Sequence, residues 1–483
     1  MPRCTGIECR ADQPMNQLEM ECAPEVEIES APEVATEVYP APRYAWYVVA
    51  LLTLAYVFSF IDRQILNLLV GPIQRDLGIG EKQMSLLMGL SFAVFYTFFG
   101  IPLGRLADTW SRRGLVVLGI AFWSLMTAGC GLTRRFWQLA LARMGVGVGE
   151  ASLSPAAYSL IADYFPPERR STALGVYGMG IYIGSGLANI LGGLVIKFAS
   201  VQENVILPLV GTVRSWQVVF FIVGLPGLLV ALLLLTIREP ARQGARRKAV
   251  ANVSRVVAVP SLGEVWAYMS GNRGTFLCLY LGVAMACLSS YGVSSWLPTF
   301  FIRRHGWTAG DTGLVLGLMV GICGTAGMVT GGRLADWLRA RGRSDANLRV
   351  ALLGVVAWLP FGALYPIVSS GWWAAALVAP ALFFSSMPFG LAPAAIQQLM
   401  PNTMRGQASA IYLFVINLIG LGLGPTVVAT LTQDVFQDKN AVHLSLLVTG
   451  LTAHVCAAGL LWRGLKHYHQ SLDYLREWSK VNV

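Results

Sequence analysis

Long apolar runs alternate with short polar breaks along most of this chain. Twelve such runs can be read, each about as long as the roughly 20 residues that a helix needs to cross a lipid bilayer. In the first half they cover residues 45–70, 83–106, 114–132, 136–165, 172–198 and 216–237. In the second half they cover residues 274–302, 312–334, 350–368, 372–400, 406–431 and 442–462. The pattern predicts an all-α membrane protein with 12 transmembrane helices.

Two copies of one pentapeptide divide these runs into two sets of six. Gly-Arg-Leu-Ala-Asp occurs at Gly104 to Asp108 and again at Gly332 to Asp336, each time at the end of the second run of its set. After the fourth run of each set, an arginine follows a proline by four residues, at Arg170 and at Arg405. The two pentapeptides are 228 residues apart (336 − 108), and the two proline–arginine motifs are 235 residues apart (405 − 170). The chain is therefore predicted to consist of two related six-helix halves in parallel register.

The polar segments complete the predicted domain organisation. Residues 1–43 form an acidic tail without an apolar run, which we expect to be disordered and cytoplasmic. The six-helix halves cover residues 44–237 and 273–466, a basic cytoplasmic linker at 238–272 joins them, and a cytoplasmic tail follows at 467–483. Loops on the side of the two termini carry more Lys and Arg than loops on the other side, which favours cytoplasmic termini.

Composition agrees with a membrane protein and excludes some other classes. Hydrophobic residues make up 55% of the chain and charged residues 13%, with a mean hydropathy of +0.57. The formal net charge of +10 is spread between apolar runs rather than gathered on one domain, so it does not indicate a nucleic-acid partner. The eight cysteines and five histidines are scattered without metal-ligand spacing, so neither a metal nor a cofactor is predicted.

Four ionisable residues lie well inside predicted helices of the first half, where charge is costly and usually marks a transport pathway. They are Asp62 and Arg63 in the first helix and Arg143 and Glu150 in the fourth. Arg143 and Glu150 are seven residues apart, which is two helical turns, and so share one face. A cluster of this kind, facing a cavity, can couple substrate movement to protons, because burial and nearby arginines act in opposite directions on a carboxylate. The alternative is two permanently ionised structural ion pairs.

The predicted helices of the second half contain no Asp, Glu, Lys or Arg at mid-span. They do contain polar and aromatic residues that are predicted to line the opposite wall of the cavity: Tyr291, Ser295, Trp296, Gln397, Tyr412 and Asn417. One charged wall and one mainly apolar wall suit a molecule with an ionic head and a hydrocarbon chain. The alternative for each of these residues is ordinary helix packing.

The loop after the second helix carries a family resemblance. Gly104-Arg-Leu-Ala-Asp108-Thr-Trp-Ser-Arg112-Arg113 resembles the signature between the second and third helices of the major facilitator superfamily. Thr109 stands where arginine is usual in that signature, and Ser111 where glycine is usual. The resemblance implies the major facilitator fold, with 12 transmembrane helices in two six-helix halves, and transport by alternating access.

This loop also suggests a conformational role. Gly104 permits close helix approach, and Asp108, Arg112 and Arg113, with Asp163 as a partner, can make charge-assisted contacts. We predict that these residues form a cytoplasmic latch that closes in the outward-facing state and breaks to open inward. The alternative is that the charges only set membrane topology.

The sequence around the buried charges resembles the spinster branch of that superfamily, and bacterial spinster homologues in particular. The segments are Phe60-Ile-Asp-Arg-Gln-Ile-Leu and Arg143-Met-Gly-Val-Gly-Val-Gly-Glu150-Ala. The resemblance implies a proton-coupled transporter of lipids such as sphingosine phosphate or lysophospholipids. It matches Asp62 and Glu150 to protonatable acids, and Arg63 and Arg143 to buried basic residues.

The expected partners are an amphipathic lipid substrate, protons and membrane lipids, and the expected location is the bacterial inner membrane, with the chain working as a monomer. A transporter of small organic anions or drugs on the same scaffold is an alternative. A membrane-bound lipid enzyme is a weaker one, because the sequence contains no metal cluster, nucleotide-binding loop or nucleophile with a matching base.

Overall fold

The residues that this computed structural model describes are 39–199, 204–207, 211–240, 261–401 and 404–482. Most of the predicted acidic tail and residues 241–260 of the predicted basic linker lie outside them.

Membrane-spanning helices dominate the described part of the chain, in which 11 helices are long and apolar enough to cross a bilayer. The helices of the first half are α1 (Pro42–Asn67), α2 (Glu81–Ala107), α3 (Arg112–Cys130), α4 (Phe136–Glu150 and Leu153–Tyr164), α5 (Pro167–Ala199) and α6 (Ser215–Leu234). The helices of the second half are α7 (Arg273–His305), α8 (Ala309–Ala340), α9 (Ala346–Leu364), α10 (Gly371–Leu399), α11 (Arg405–Val435) and α12 (Val442–Asn482). Two short helices, Val70–Leu77 and Leu262–Gly271, lie outside the spans.

The fourth predicted span is broken, which explains why eleven continuous spans rather than twelve are found. Pro155 has no N–H to donate to the carbonyl of Ala151, so the helical ladder is interrupted there. α4 consequently consists of helices of 15 and 12 residues. The Ser152 hydroxyl donates to the carbonyl oxygen of Gly149 at 2.8 Å and satisfies one backbone group at the break. Together the two pieces have the length of one span.

The last helix continues beyond its apolar run. The sequence predicts a separate tail from residue 467, whereas α12 extends to Asn482. Its added turns pack on the short helix Leu262–Gly271, with the rings of Tyr474 and Trp478 centred 5.3 and 5.9 Å from the ring of Tyr268. The C-terminal segment is therefore docked on the second half.

A β-hairpin that the sequence pattern does not predict connects α5 and α6. Strands β1 (Asn204–Leu207) and β2 (Gly211–Arg214) pair antiparallel, with Asn204 opposite Arg214. Next to β2, the Trp216 indole N–H donates to Asp76 Oδ2 at 2.6 Å. This contact ties α6 to the short helix Val70–Leu77.

Glycines allow the two halves to approach closely along two seams. Between α5 and α8, a Cβ on Gly317 would lie 2.5 Å from the carbonyl oxygen of Gly186. Between α2 and α11, a Cβ on Gly89 would lie 2.7 Å from the carbonyl oxygen of Leu421. Any larger residue at either glycine would push the seam apart.

Three apolar cores show where the halves are joined. One core contains residues of both halves, including Ile65 and Phe300, and lies on the side away from the chain termini, which we call the far side. The other two lie toward the terminus side, one almost entirely in the first half and one in the second half. An ion pair of 2.9 Å between Glu81 and Arg303 also joins the halves on the far side. The halves are thus closed on the far side and have separate cores on the terminus side.

Candidate functional site

The buried charges of the first half form one ion pair where α1 meets α4. Arg63 Nη2 lies 2.6 Å from Glu150 Oε2, and the two side chains are 5% and 0% exposed. Ser59, one turn before Arg63, donates a hydrogen bond of 2.6 Å to the same carboxylate oxygen. Within the described part of the chain, Glu150 Oε1 has no hydrogen-bond partner. The carboxylate is therefore held through one oxygen, and the other is available to a proton.

Asp62 points away from this pair and toward α3. The Thr127 hydroxyl donates to Asp62 Oδ2 at 3.2 Å, and among the described residues Asp62 Oδ1 has no hydrogen-bond partner. Arg143 does not bond the Asp62 carboxylate but donates to its backbone carbonyl oxygen at 3.0 Å. Consecutive helical residues point about 100° apart, so only Arg63 of the neighbouring pair in α1 faces Glu150. The four predicted residues are thus brought together, but as one ion pair, one separate acid and one arginine bound to backbone.

Aromatic rings surround the Arg63 guanidinium. Its Cζ lies 4.6 Å from the ring centre of Phe60, 4.5 Å from that of Phe92 and 4.9 Å from that of Tyr96. Such ring faces attract a cation, most strongly where water is excluded. The guanidinium is therefore stabilised by both a carboxylate and an aromatic cage, which we define as Phe60, Phe92 and Tyr96.

Of the predicted wall residues in the second half, Tyr291 lies beside the Arg63 guanidinium. Its ring packs against the cores of both halves. The charged pair therefore lies next to the contact between the halves.

The other predicted wall residues have different surroundings. Trp296 is fully buried and donates its indole N–H to the Pro425 carbonyl oxygen at 3.0 Å, and Tyr412 is buried against Tyr280 with ring centres 5.6 Å apart. These two side chains pack α7 against α11. The remaining three are Ser295, which is buried, Gln397, which is exposed, and Asn417, which is partly exposed.

The predicted latch residues make their contacts within the first half. Arg112 is 1% exposed; it pairs with Asp163 at the end of α4 and, at 2.8 Å, with Glu239 after α6. The Arg113 side chain donates to the Ile237 carbonyl oxygen at 3.0 Å. These contacts fasten the terminus-side ends of α3, α4 and α6 to one another, and they do not cross to the second half.

The other two residues of the predicted latch are Gly104 and Asp108. A Cβ on Gly104 would reach Pro155 of α4 at 3.9 Å, which is ordinary van der Waals contact, so Gly104 allows α2 to lie near α4. The side chain of Asp108 lies outside what the structure describes.

The second half has amide side chains at the positions that match Arg112 and Asp163. Adding the repeat offset of 235 to Arg112 and Asp163 gives Asn347 and Gln398. Asn347 Nδ2 donates to Gln398 Oε1 at 3.0 Å, and the Tyr468 hydroxyl donates to the same oxygen at 2.9 Å. The two halves therefore use one pair of positions for the same fastening, with charged groups in the first half and amides in the second.

Glu239 also belongs to the charged cluster of Arg112 and Asp163, and the sequence does not predict its role there. Its carboxylate accepts from the backbone N–H groups of Arg112 and Arg113, at 3.3 and 2.9 Å, and so caps the positive end of the α3 dipole. Burial by itself raises the pKa of Glu239, but the hydrogen bonds from Arg112 and Arg113 outweigh it and hold that pKa below its usual value.

Glu239→Gln is expected to lower the free energy of unfolding by about 1–2 kcal/mol at pH 7, because charge-assisted hydrogen bonds to α3 are lost. Because the pKa of Glu239 is lowered in the folded protein, its ionised form stabilises the fold fully at pH values above the ordinary pKa of glutamate. This stabilisation is lost as the pH falls through the lowered pKa. Wild type and variant should therefore converge once the pH falls below the lowered pKa of Glu239. Thermal unfolding in detergent measures both effects, with Glu477→Gln at an exposed position of α12 as the control. Equal stability of Glu239→Gln and wild type at pH 7 would contradict the capping role.

Other site residues were also absent from the prediction. Ser59 and Thr127 look like ordinary helix residues in the sequence, and Phe92 is one of many aromatic residues in apolar runs. Their proximity to the charges depends on how the helices are rotated. A small residue one turn before a buried charge, as Ser59 is before Arg63, is the only sequence signal available.

A membrane transporter is the class that this fold and site define, since two six-helix halves meet beside a buried ion pair. The family model of the Major Facilitator Superfamily matches residues 52–425, and the chain belongs to that superfamily.

Individual relatives give the same assignment. The chain is 29% identical to an MFS-type efflux pump of Mycolicibacterium smegmatis, over 89% of this chain and 95% of that protein. It is 27% identical to protein spinster homolog 1 of Bos taurus, over 82% of this chain and 75% of that protein. It is 22% identical to the cis,cis-muconate transport protein of Acinetobacter baylyi, over 83% and 92%. These relatives are transporters rather than enzymes.

A solved structure is similar over nearly the whole chain. It is the crystal structure of a bacterial homolog to the human lysosomal transporter Spinster, in an inward-facing and unoccupied conformation. The TM-score is 0.71 at 25% identity, covering 90% of this chain and 98% of that one. The chain is thus a spinster-like secondary transporter of the superfamily, as its motifs predict.

Proposed function

We propose that this protein is a proton-coupled secondary transporter that moves an amphipathic lipid, of sphingolipid or lysophospholipid type, across the membrane by alternating access. The observation that carries the proposal is the buried ion pair of Arg63 and Glu150, which lies next to Tyr291 where the two halves meet. A buried carboxylate with one unbonded oxygen is suited to exchange a proton.

Protonation of Glu150 removes the negative partner of Arg63. The guanidinium then carries an unbalanced charge in a dry environment, which favours either an anionic group of a substrate or a change of conformation. Release of the proton restores the pair and expels a competing anion. Proton uptake and substrate binding are thereby linked through one arginine.

The difference in charge between the two halves supports an amphipathic substrate. The charged pair lies in the first half, whereas the second half offers aromatic and apolar side chains around Tyr291. A polar head would lie against Arg63 and a hydrocarbon chain against the second half. The resemblance of the segments around Asp62 and Glu150 to the spinster branch, which implies a lipid substrate, supports the same substrate class.

A second candidate is transport of small organic anions or drugs. The similarity to a cis,cis-muconate transport protein and to an efflux pump favours it. A carboxylate could bind Arg63 in the same way as a lipid head. The two candidates therefore share the charged pair and differ in what the second half must accommodate.

We place the far side outside the cell and both termini in the cytoplasm of a bacterium, with the chain in the inner membrane as a monomer. The excess of Lys and Arg in terminus-side loops supports this orientation. With the far side closed, the conformation is then inward-facing. In the outward-facing state we expect the loop from Gly104 to Arg113 to close against the second half as the predicted latch.

Competition in proteoliposomes tests the substrate class. Labelled lysophospholipid is supplied under an imposed pH gradient, with unlabelled sphingosine phosphate, lysophospholipid or muconate as competitor. The proposal predicts protein-dependent movement of the lysophospholipid that other amphiphiles block and muconate does not. Movement of labelled muconate that lysophospholipid leaves unchanged would instead establish the organic-anion function.

A further inference from the structure

Phe92 of α2 lies between the two buried arginines. Its side chain is fully buried, and its ring centre is 4.5 Å from the Cζ of Arg63 and 5.5 Å from the Cζ of Arg143. It is also stacked on Tyr96, with ring centres 5.4 Å apart and an angle of 19° between the planes. One aromatic ring thus contacts both cations of the site.

The backbone fixes this ring in place. Gly147 of α4 faces Phe92, and a Cβ on Gly147 would lie 2.6 Å from the Phe92 carbonyl oxygen. The glycine therefore lets α2 approach α4 at the level between Arg143 and Glu150. Tight packing on the backbone leaves the Phe92 ring little freedom to leave the arginines.

The ring acts differently on the two protonation states of Glu150. An aromatic face attracts a cation and repels an anion. While Glu150 is ionised, its carboxylate lies 2.6 Å from the Arg63 guanidinium and is the main partner of that charge. Once Glu150 is neutral, the rings supply a larger share of the stabilisation of the Arg63 charge, so loss of a ring costs the protonated state more than the ionised one.

We propose that Phe92, as the central ring of the aromatic cage, is a positioning residue for proton coupling that holds Arg63 when Glu150 is neutral and thereby sets the pH at which Glu150 takes up its proton. The inference rests on the proposed function of the Arg63–Glu150 pair. It adds a specific role for an apolar residue that makes no hydrogen bond through its side chain.

Other charged and titratable side chains lie near the pair. They come from α1, α2, α4, α5 and α7: Asp62, Tyr56, Tyr96, Arg143, Tyr177 and Tyr291. The test variant leaves all of them in place, so a change in titration reports on the ring.

Infrared difference spectroscopy of the full-length protein in lipid nanodiscs measures the titration without a substrate. The carboxylic acid band of Glu150 is identified by its absence in Glu150→Gln. Phe92→Leu is expected to move the midpoint of that band to lower pH by about one unit, because the protonated state loses its cation–π stabilisation. Phe92→Tyr keeps a ring face and should move the midpoint by much less.

The outcomes separate this inference from the proposed function. If the Glu150 band titrates in wild type and has the same midpoint in folded Phe92→Leu, the role of Phe92 is overturned, whereas proton coupling through Glu150 is not. A wild-type Glu150 that does not titrate overturns both. If Phe92→Leu does not fold, Tyr96→Leu removes a more accessible ring of the cage, and its midpoint must move in the same direction.

Discussion

Glu150→Gln is expected to abolish transport driven by a pH gradient while preserving exchange of labelled for unlabelled substrate. Glutamine has the shape of the protonated acid and can still bond Ser59, but it cannot release a proton. A gradient of one pH unit can drive at most about tenfold accumulation per proton carried, and the variant should lose that accumulation completely. Flux in proteoliposomes with and without the gradient measures the difference.

Asp62→Asn provides the comparison within the same site. Both acids are predicted from the sequence to couple protons, but Asp62 bonds Thr127 of α3 and does not face Arg63. We therefore expect Asp62→Asn to retain part of the gradient-driven accumulation. Full gradient-driven accumulation in Glu150→Gln would refute the role of Glu150.

Arg63→Leu is expected to cause the largest loss of stability of any single change at the site. It leaves the Glu150 carboxylate buried without its positive partner, which costs about 3–5 kcal/mol for a pair of this kind. The loss should become smaller at acidic pH, where Glu150 can be neutralised by a proton instead. Thermal unfolding in detergent at neutral and acidic pH measures both effects.

The double variant Arg63→Leu with Glu150→Leu is the control for this prediction. Replacing both members of a buried pair by apolar residues is often close to neutral, so the double variant should recover most of the stability that the single variant loses. A double variant as unstable as Arg63→Leu would mean that Arg63 acts mainly through other contacts, such as the aromatic cage.

The sequence predicted the scaffold well because each of its determinants is local. About 20 apolar residues in a row must cross a bilayer as a helix, and the repeated pentapeptide marks equivalent positions in the two halves. The break in α4 follows from Pro155, although the sequence alone suggests a kink there rather than two helices. The helical extension of α12 was missed because its packing on Tyr268 is not visible in a hydropathy pattern.

The sequence predicted which charged residues lie in the candidate site, but not which of them contact one another. Buried charges are conspicuous in apolar runs, so Asp62, Arg63, Arg143 and Glu150 could be named in advance. Which arginine meets which acid depends on the rotation and depth of α1 against α4. Those are set by contacts such as Gly147 with the Phe92 backbone, which a single sequence does not reveal.

Glu239, on the terminus side, is a second residue whose contacts could not be predicted from the sequence. In the sequence it stands in a loop otherwise rich in arginine, where it is easily taken for a solvated charge. Its role depends on the chain returning after α6 to the first turn of α3. The matching positions Asn347 and Gln398 could be derived from the repeat offset, but their hydrogen bond is known only from the structure.

Proton movement during transport by the wild-type protein tests proton coupling most directly. Proteoliposomes containing a pH-sensitive dye are prepared without an initial pH gradient, and a gradient of lysophospholipid is then imposed. Coupling through Glu150 predicts a protein-dependent change of internal pH as the lipid moves, and no change with Glu150→Gln. Lysophospholipid movement by the wild type without any change of internal pH would contradict it.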